Sequence, residues 1–144
     1  MSDTSDAGQQ RFDRGMGVLE SILGESGRGI IDRLADISPE LARQIVAWAF
    51  GEVYPRPALA LRDRQLVTLA VLTTLGGTET ELEVHLQGAL TVGLRPEEIV
   101  EALLHAAIYC GMPRAINATL VAKKVFGERG LLPVAAGDGT AGGS

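Results

Sequence analysis

Residues 61–92 read LRDRQLVTLAVLTTLGGTETELEVHLQGALTV, and this stretch decides the fold class. Two helical segments are separated by Gly76-Gly77, since glycine is a poor helix former. The first segment, Leu61–Leu75, is charged only in its first turn and is apolar on every side after it. A helix of that kind must be covered all round, so it is predicted to be a buried core helix. The second segment begins at Thr78 and ends before Gly93.

Proline and glycine mark further helices on both sides of this stretch. Helix start signals occur at Ser38-Pro39-Glu40, at Pro96-Glu97-Glu98 and at Pro113. Apolar residues recur every three or four positions over residues 12–23, and a shorter helix is predicted over residues 30–37. No segment alternates polar and apolar residues between hairpin turns. The sequence therefore predicts an all-α fold of about six to seven helices.

The length of 144 residues suits one domain with a substantial core. Residues 1–10 are polar and predict a flexible N-terminal arm. Residues 133–144 contain four glycines and predict a flexible tail. We therefore expect a single helical domain over residues 11–132.

Charge and cysteine content exclude several classes of protein. The chain has 13 Lys and Arg against 18 Asp and Glu, so it lacks the basic surface that binds nucleic acid. The single cysteine, Cys110, rules out an internal disulfide, a CxxC redox pair and a multi-cysteine zinc site. The only histidines, His85 and His105, are not spaced as metal ligands, so no metal is predicted.

Membrane and export signals are missing as well. The longest uncharged stretch, residues 65–78, has 14 residues, whereas a membrane span needs about 20. The N-terminus is acidic and polar, without the basic start and apolar run of a signal peptide. We expect no membrane association and a cytoplasmic location.

The next-to-last predicted helix carries apolar residues on more than one face. Ile99, Leu103 and Ala106 share one face, whereas Leu104 and Ile108 lie toward the other. Seven helices in a small domain cannot cover two helices that are apolar on all faces. The remaining apolar surface must be buried against another copy, so the sequence predicts a homo-oligomer.

Glu81 and His85 are the first candidates for catalysis. They are four residues apart on one helix, so their side chains meet, and Gly88 one turn further leaves a shallow gap beside them. A carboxylate that holds an imidazole can fix its tautomer and keep it ready as a general acid or base. Both residues also have a structural interpretation: Thr78 and Glu81 match a capping box, and His85 lies at the border of an apolar face.

Arginines and a tyrosine are candidates for binding an anionic substrate. Arg64 and Arg114 could each clamp a carboxylate, with ordinary surface charge as the alternative. Tyr109 fits core packing and a hydrogen-bond donor equally well.

A second Glu–His pair, Glu101 and His105, lies on the other side of its helix from the core face. We interpret it as a solvated or subunit-interface salt bridge. Cys110 falls on the apolar face of the same helix and is interpreted as an inert buried thiol.

Several short motifs follow one another in a specific order and spacing between residue 64 and residue 126. These motifs are Arg64-Gln65-Leu66-Val67, Glu81-x-x-x-His85, Pro96-Glu97-Glu98-Ile99, and Tyr109-Cys110-Gly111-Met112-Pro113 leading into Asn117-Ala118. In these motifs the segment resembles the carboxymuconolactone decarboxylase family, which includes the AhpD-like alkylhydroperoxidases.

The resemblance separates two branches of the family. Its peroxidase-like members resemble C-x-x-C-x-x-x-H, and here the two cysteine positions hold Thr78 and Glu81, so thiol peroxidase chemistry is not available. The decarboxylase branch converts γ-carboxymuconolactone to 3-oxoadipate enol-lactone without a cofactor. Membership would imply an all-helical domain assembled as trimers or hexamers.

The resemblance also suggests roles for individual residues. His85, oriented by Glu81, would donate a proton, while Arg64 or Arg114, with Tyr109, would bind the substrate. Two departures from the family pattern would change the charge of the pocket. Arg114 stands where a small residue is common, and Gln65 stands where many relatives have an acid.

Two functions follow from these observations. The first is a cofactor-free decarboxylase acting on a small carboxylated lactone. The second is a catalytically silent oligomer of the same fold that binds a small acid or a partner protein. A buried His85 facing a cavity with an arginine in reach favours the enzyme, whereas an exposed His85 that contacts only Glu81 favours the silent protein.

Overall fold

The computed structural model describes residues 3–136, and all regular secondary structure in this part is helical. No β-strand occurs within these residues, so the predicted all-α fold is confirmed. None of the described helices combines the length and the apolar character needed to cross a membrane. The helices are α1 (Asp3–Leu34), α2 (Pro39–Gln44), a π-helical segment (Ile45–Val53) that continues α2, α3 (Leu61–Leu75), α4 (Glu79–Thr91), α5 (Pro96–Cys110) and α6 (Met112–Glu128).

Helix α1 consists of two helical segments that meet at a kink. At Gly24 the backbone takes φ 56° and ψ −144°, which is not helical and which a residue with a side chain adopts only with strain. The kink lies between the two helical segments that the sequence predicts over residues 12–23 and 30–37. Residues on both sides of the kink, such as Leu23 and Ile31, pack into one core cluster with Ala42 of α2.

The ends of the chain bear on the predicted domain limits. Residues 3–10 are helical and form the start of α1, in the segment where the sequence predicts a flexible arm. Residues 1–2 and 137–144, within the predicted arm and tail, lie outside the described residues. The limits of residues 11–132 for the domain stay a prediction.

Proline and glycine define the helix boundaries as the sequence predicts. Pro39 and Pro96 occupy the first turns of α2 and α5, where their missing N–H costs nothing. Helix α5 ends at Gly111, whose φ of 89° suits glycine and stops the helix.

The apolar side chains form two core clusters, and α4 lies between them. The first cluster joins α3, α4, α5 and α6, and the second joins α1, α2 and the π-helical segment. Leu82, Leu86 and Ala89 of α4 pack into the first cluster, whereas Val84 packs into the second. Helix α4 is therefore a wall shared by the two halves of the core.

Helices α3 and α5 are among those that leave apolar side chains uncovered in the single chain. Helix α3, predicted to be covered all round, exposes Val67, Val71 and Leu75 on one side, so its full burial requires another copy and stays a prediction. On α5 the buried and exposed faces follow the prediction, since Leu104 and Ile108 are exposed. The helices of one protomer therefore do not cover the outer apolar faces of α3 and α5.

Candidate active site

A cavity of about 340 Å³ lies between α1 and α4 and is closed by α2 and the π-helical segment. This volume is within the range of pockets that bind small molecules. Most of its wall is aliphatic, with Phe50 from the π-helical segment, and its only ionisable side chains are Glu81 and His85. The apolar part of the lining is Leu19, Leu23, Gly27, Ile30, Ile31, Leu34, Leu41, Ile45, Phe50 and Val84.

The spacing along α4 explains why these two polar residues reach the cavity. Glu81, Val84 and His85 stand at positions i, i+3 and i+4, which form one stripe of a helix. The stripe faces α1, while Leu82 and Leu86 face the other core cluster.

Gly88 continues this stripe, and the structure corrects its predicted role. A Cβ at this position would lie 2.5 Å from Cδ2 of Leu23 and 3.3 Å from Cγ2 of Ile22. The predicted gap beside the Glu–His pair is therefore filled by α1. Gly88 permits the close approach of α1 to α4, which brings Leu23 into the cavity wall.

His85 is hydrogen-bonded to Gln65, which the sequence analysis names as a departure from the family pattern in the pocket but to which it gives no catalytic or binding role. Its Nδ1 lies 3.1 Å from Oε1 of Gln65, which comes from α3 and is completely buried. Gln65, Leu69 and Thr73 form the buried stripe of α3 at spacings of four residues. A lone amide on that stripe is the signal that could have revealed the contact, since a buried amide needs a hydrogen-bond partner.

Burial determines the charge of His85. It lowers the pKa of the imidazole from 6.5 to about 4, and the carboxylate of Glu81 opposes this effect only in part. The histidine is therefore neutral at neutral pH in the unliganded chain. It is half-buried and lines a cavity, as the enzymatic interpretation requires, but among the described residues no arginine lines that cavity with it.

Glu81 lies at the exposed edge of the cavity, and its predicted role as a helix cap is wrong. Thr78 makes no side-chain hydrogen bond that caps α4, and its Oγ1 donates to the carbonyl oxygen of Leu72 at 2.8 Å. Glu81 makes no side-chain hydrogen bond among the described residues, so the structure shows it acting on His85 through its charge.

The three predicted substrate-binding residues do not line this cavity in the single chain. Arg64 donates to the carbonyl oxygens of Leu59 at 3.2 Å and Arg56 at 3.1 Å, and so closes the turn before α3. Arg114 is exposed and lies against Gly76, and Tyr109 is exposed on α5.

The second Glu–His pair does not form the predicted salt bridge within the described residues. The ring of His105 instead packs at a tilt on Tyr109, with centroids 5.6 Å apart, and both rings are exposed.

Cys110, predicted to be buried, is only half-buried. Over residues 3–136 no three His, Cys, Asp or Glu side chains cluster as metal ligands, and the absence of a metal stays a prediction.

Comparison with known proteins identifies the family. The model of the carboxymuconolactone decarboxylase family matches residues 39–124, more than half of the chain. The chain belongs to the carboxymuconolactone decarboxylase family. This match includes α4 with Glu81 and His85, α3 with Gln65, and the π-helical segment.

Two curated relatives of this family member are decarboxylases. The 4-carboxymuconolactone decarboxylase of Acinetobacter baylyi is 36% identical over 126 residues, which cover 87% of this chain and 93% of the relative. The nitrosuccinic acid decarboxylase of Metarhizium robertsii is 35% identical over 120 residues, covering 81% and 82%. The chain is thus an enzyme of the decarboxylase type, a carbon–carbon lyase.

Proposed function

We propose that this protein is a cofactor-free decarboxylase of a small carboxylated lactone such as 4-carboxymuconolactone (γ-carboxymuconolactone), with His85 as the proton donor. One observation carries the proposal: a half-buried histidine, hydrogen-bonded to Gln65, lines a largely apolar cavity that is large enough for such a molecule. The similarity to the Acinetobacter baylyi decarboxylase supports the choice of substrate.

The chemistry of such a lactone requires little from the protein. The carboxylate is attached to a carbon next to a C=C bond, and this C=C bond is conjugated with the lactone carbonyl. When CO2 leaves, the electron pair of the broken C–C bond is delocalised into a dienolate. Adding one proton to carbon then gives the enol-lactone. Because the substrate accepts the electrons itself, the reaction needs a binding site and a proton but no redox partner.

The apolar wall favours the loss of CO2. A carboxylate loses hydrating water in this cavity, where Glu81 and His85 are the only ionisable side chains of the lining. The departing CO2 is uncharged, so the loss of hydrating water raises its free energy far less than that of the carboxylate. Binding energy from the rest of the substrate must offset the cost of bringing the carboxylate in.

His85 must gain a proton before it can donate one, since its pKa of about 4 leaves it neutral in the unliganded chain. A bound carboxylate would favour the imidazolium and raise this pKa, and Glu81 acts in the same direction. We propose that the anionic substrate enters with proton uptake at His85, which then protonates the dienolate.

The substrate-binding roles of Arg64, Arg114 and Tyr109 stay a proposal that depends on assembly. None of the three lines the cavity of a single chain, and Arg64 already donates two hydrogen bonds to its own turn. A second subunit would have to contribute to the site for Arg114 or Tyr109 to reach a substrate.

A homo-oligomer, a trimer or a hexamer, is part of the proposal. Large apolar side chains remain exposed along α3, α5 and α6, which is unusual for a monomer. The exposed residues are Val67, Val71 and Leu75 of α3, Leu104 and Ile108 of α5, and Met112, Ile116 and Leu120 of α6.

The test is an assay of CO2 release, or of ultraviolet absorbance, with 4-carboxymuconolactone. The wild-type protein should turn the lactone over, and His85→Ala should lower kcat by about 100-fold or more, the usual contribution of a general acid. His105→Ala is the matched control, because it removes the other histidine from an exposed position, and it should leave kcat unchanged.

Each other outcome has a definite meaning. Equal rates for the wild-type protein and His85→Ala would reject the role of His85. Turnover of nitrosuccinic acid but not of the lactone would change the substrate and keep the decarboxylase activity. No turnover of either compound would favour the catalytically silent, acid-binding oligomer.

A further inference from the structure

We infer that Gln65 is a positioning residue for the reaction: it fixes the hydrogen of the His85 imidazole on Nδ1 and leaves Nε2 to exchange the proton with the substrate. This inference rests on the proposed function, since it names a residue that acts through His85. It departs from the sequence interpretation, in which Glu81 orients the imidazole.

The contact defines which nitrogen serves the substrate. Oε1 of Gln65 can only accept a hydrogen bond, so the nitrogen 3.1 Å away, Nδ1 of His85, must carry the hydrogen. His85 also lines the cavity, and Nε2 is its only other nitrogen. The hydrogen bond at Nδ1 thus leaves Nε2 of the neutral imidazole without a hydrogen.

This arrangement is compatible with both protonation states of the histidine. When Nε2 gains a proton, Nδ1 keeps its hydrogen and continues to donate to Oε1. With the amide reversed, Nε2 of Gln65 would donate to Nδ1, and that bond would have to break whenever the imidazole became charged. Only the observed orientation lets the imidazole cycle between the two states without moving.

The buried end of the amide supports a functional role. Gln65 is fully buried, and its Nε2 has no hydrogen-bond partner among the residues that the structure describes. An unpaired buried N–H group costs stability, and an apolar side chain of similar shape would avoid that cost. The fold alone does not account for a glutamine here, whereas a hydrogen bond to His85 does.

Apart from Glu81, no charged group of the described residues faces His85 and could set its protonation state. The parts of α1, α2 and the π-helical segment that line the cavity present uncharged side chains, and α3 presents the neutral Gln65. Glu81 is the one charged group that acts on His85. Replacing Gln65 by an acid would therefore add a second charge directly at Nδ1.

The first test is the tautomer of the wild-type protein, read from the ¹⁵N chemical shifts of the two histidines by NMR at pH 7. His85 should show a protonated Nδ1 and an unprotonated Nε2. Gln65→Met, which keeps the length of the side chain without the hydrogen bond, should shift the signal toward the Nε2–H form. A wild-type His85 protonated on Nε2 would overturn the inference without any assay of activity.

The second test separates positioning from simple stability. Gln65→Met should lower kcat about threefold to tenfold with little change in KM, a loss that corresponds to one hydrogen bond. Gln65→Glu should keep the Nδ1–H tautomer and raise the pKa of His85 by about one unit or more, because the new carboxylate stabilises the imidazolium. An unchanged His85 pKa in Gln65→Glu would contradict the inference.

Thr73→Val is the matched control. Thr73 is the other fully buried polar residue of α3, and its hydroxyl donates to Leu69 of the same helix rather than to His85. This variant should change neither the tautomer nor the pKa of His85. If the wild-type protein does not decarboxylate the lactone, the proposed function fails, while the NMR results still decide the role of Gln65.

Discussion

Gln65 and His85 connect α3 to α4 through a single hydrogen bond of 3.1 Å at the boundary between the two core clusters. One partner is completely buried and the other lines a cavity. The imidazole is therefore held from behind by the core and open to a ligand in front. A group fixed in this way retains its geometry when substrate enters, which favours catalysis.

Acid should destabilise the fold through His85. Its pKa is 6.5 in an unfolded chain and about 4 in the fold, so the unfolded state binds more protons between these values. The contribution to stability is complete above pH 6.5 and is lost as the pH falls toward 4, up to about 3 kcal/mol. Urea unfolding at pH 7, 6, 5 and 4 measures this decrease in the free energy of unfolding.

Variants of the two histidines separate this effect from general acid denaturation. His85→Gln should flatten the dependence of the unfolding free energy on pH between 6.5 and 4, whereas His105→Gln, at an exposed position, should retain it. The same slope in both variants would mean that His85 is not the group responsible.

Glu81→Gln should lower the pKa of His85 further, because the carboxylate favours the imidazolium. The decrease should be less than about one unit, since the residue is exposed and its charge is screened by water and salt. Titration of His85 by NMR measures it. Glu79→Gln, an exposed acid in the first turn of α4, is the control and should leave this pKa within error.

Gly88→Ala should destabilise the protein by about 1–3 kcal/mol, as expected for overpacking. The added methyl would overlap Cδ2 of Leu23, 2.5 Å away, and push that side chain into the cavity, so KM should rise as well. Gly17→Ala is the control, because its methyl meets no atom within 4 Å and should stabilise α1 by about 0.5–1 kcal/mol. Equal effects on unfolding would contradict the close packing of α1 on α4.

Ile108→Glu should dissociate the proposed oligomer. Its side chain is 71% exposed on α5, and a charge buried against another subunit costs several kcal/mol. Sedimentation at micromolar concentration should show an oligomer for the wild-type protein and a monomer for the variant. Ile37→Glu, in the turn between α1 and α2, is the control and should remain oligomeric. A monomeric wild-type protein would refute the assembly.

Local signals in the sequence predict most of the helices. Pro39 and Pro96 act through the restricted φ of proline, and Gly111 acts through the freedom of glycine to adopt a positive φ, so their effects do not depend on distant residues. The capping box at Thr78 and Glu81 does not form, and the threonine hydroxyl instead donates to the carbonyl of Leu72 in the preceding helix. A motif of four residues cannot reveal a contact with a residue that lies outside it.

The site is less predictable than the helices. Glu81 and His85 are found from their spacing on one helix, but Gln65 is 20 residues away, and only the packing of α3 on α4 joins it to the histidine. The cavity wall depends on the bend of α1 at Gly24, which follows from backbone angles rather than from side-chain spacing. Arg64 satisfies two carbonyl groups of a turn that the sequence shows only as irregular.

The kinked helix α1 has a consequence for how this enzyme can diversify. Half of the residues that line the cavity come from α1, yet the match to the family model begins only at residue 39. Helices α3 and α4, which supply Gln65 and His85, lie within that match. We therefore expect the residues that transfer the proton and many of those that shape the cavity to lie in separate parts of the chain. Exchanging α1 between relatives would then change the substrate preference and leave the chemistry intact.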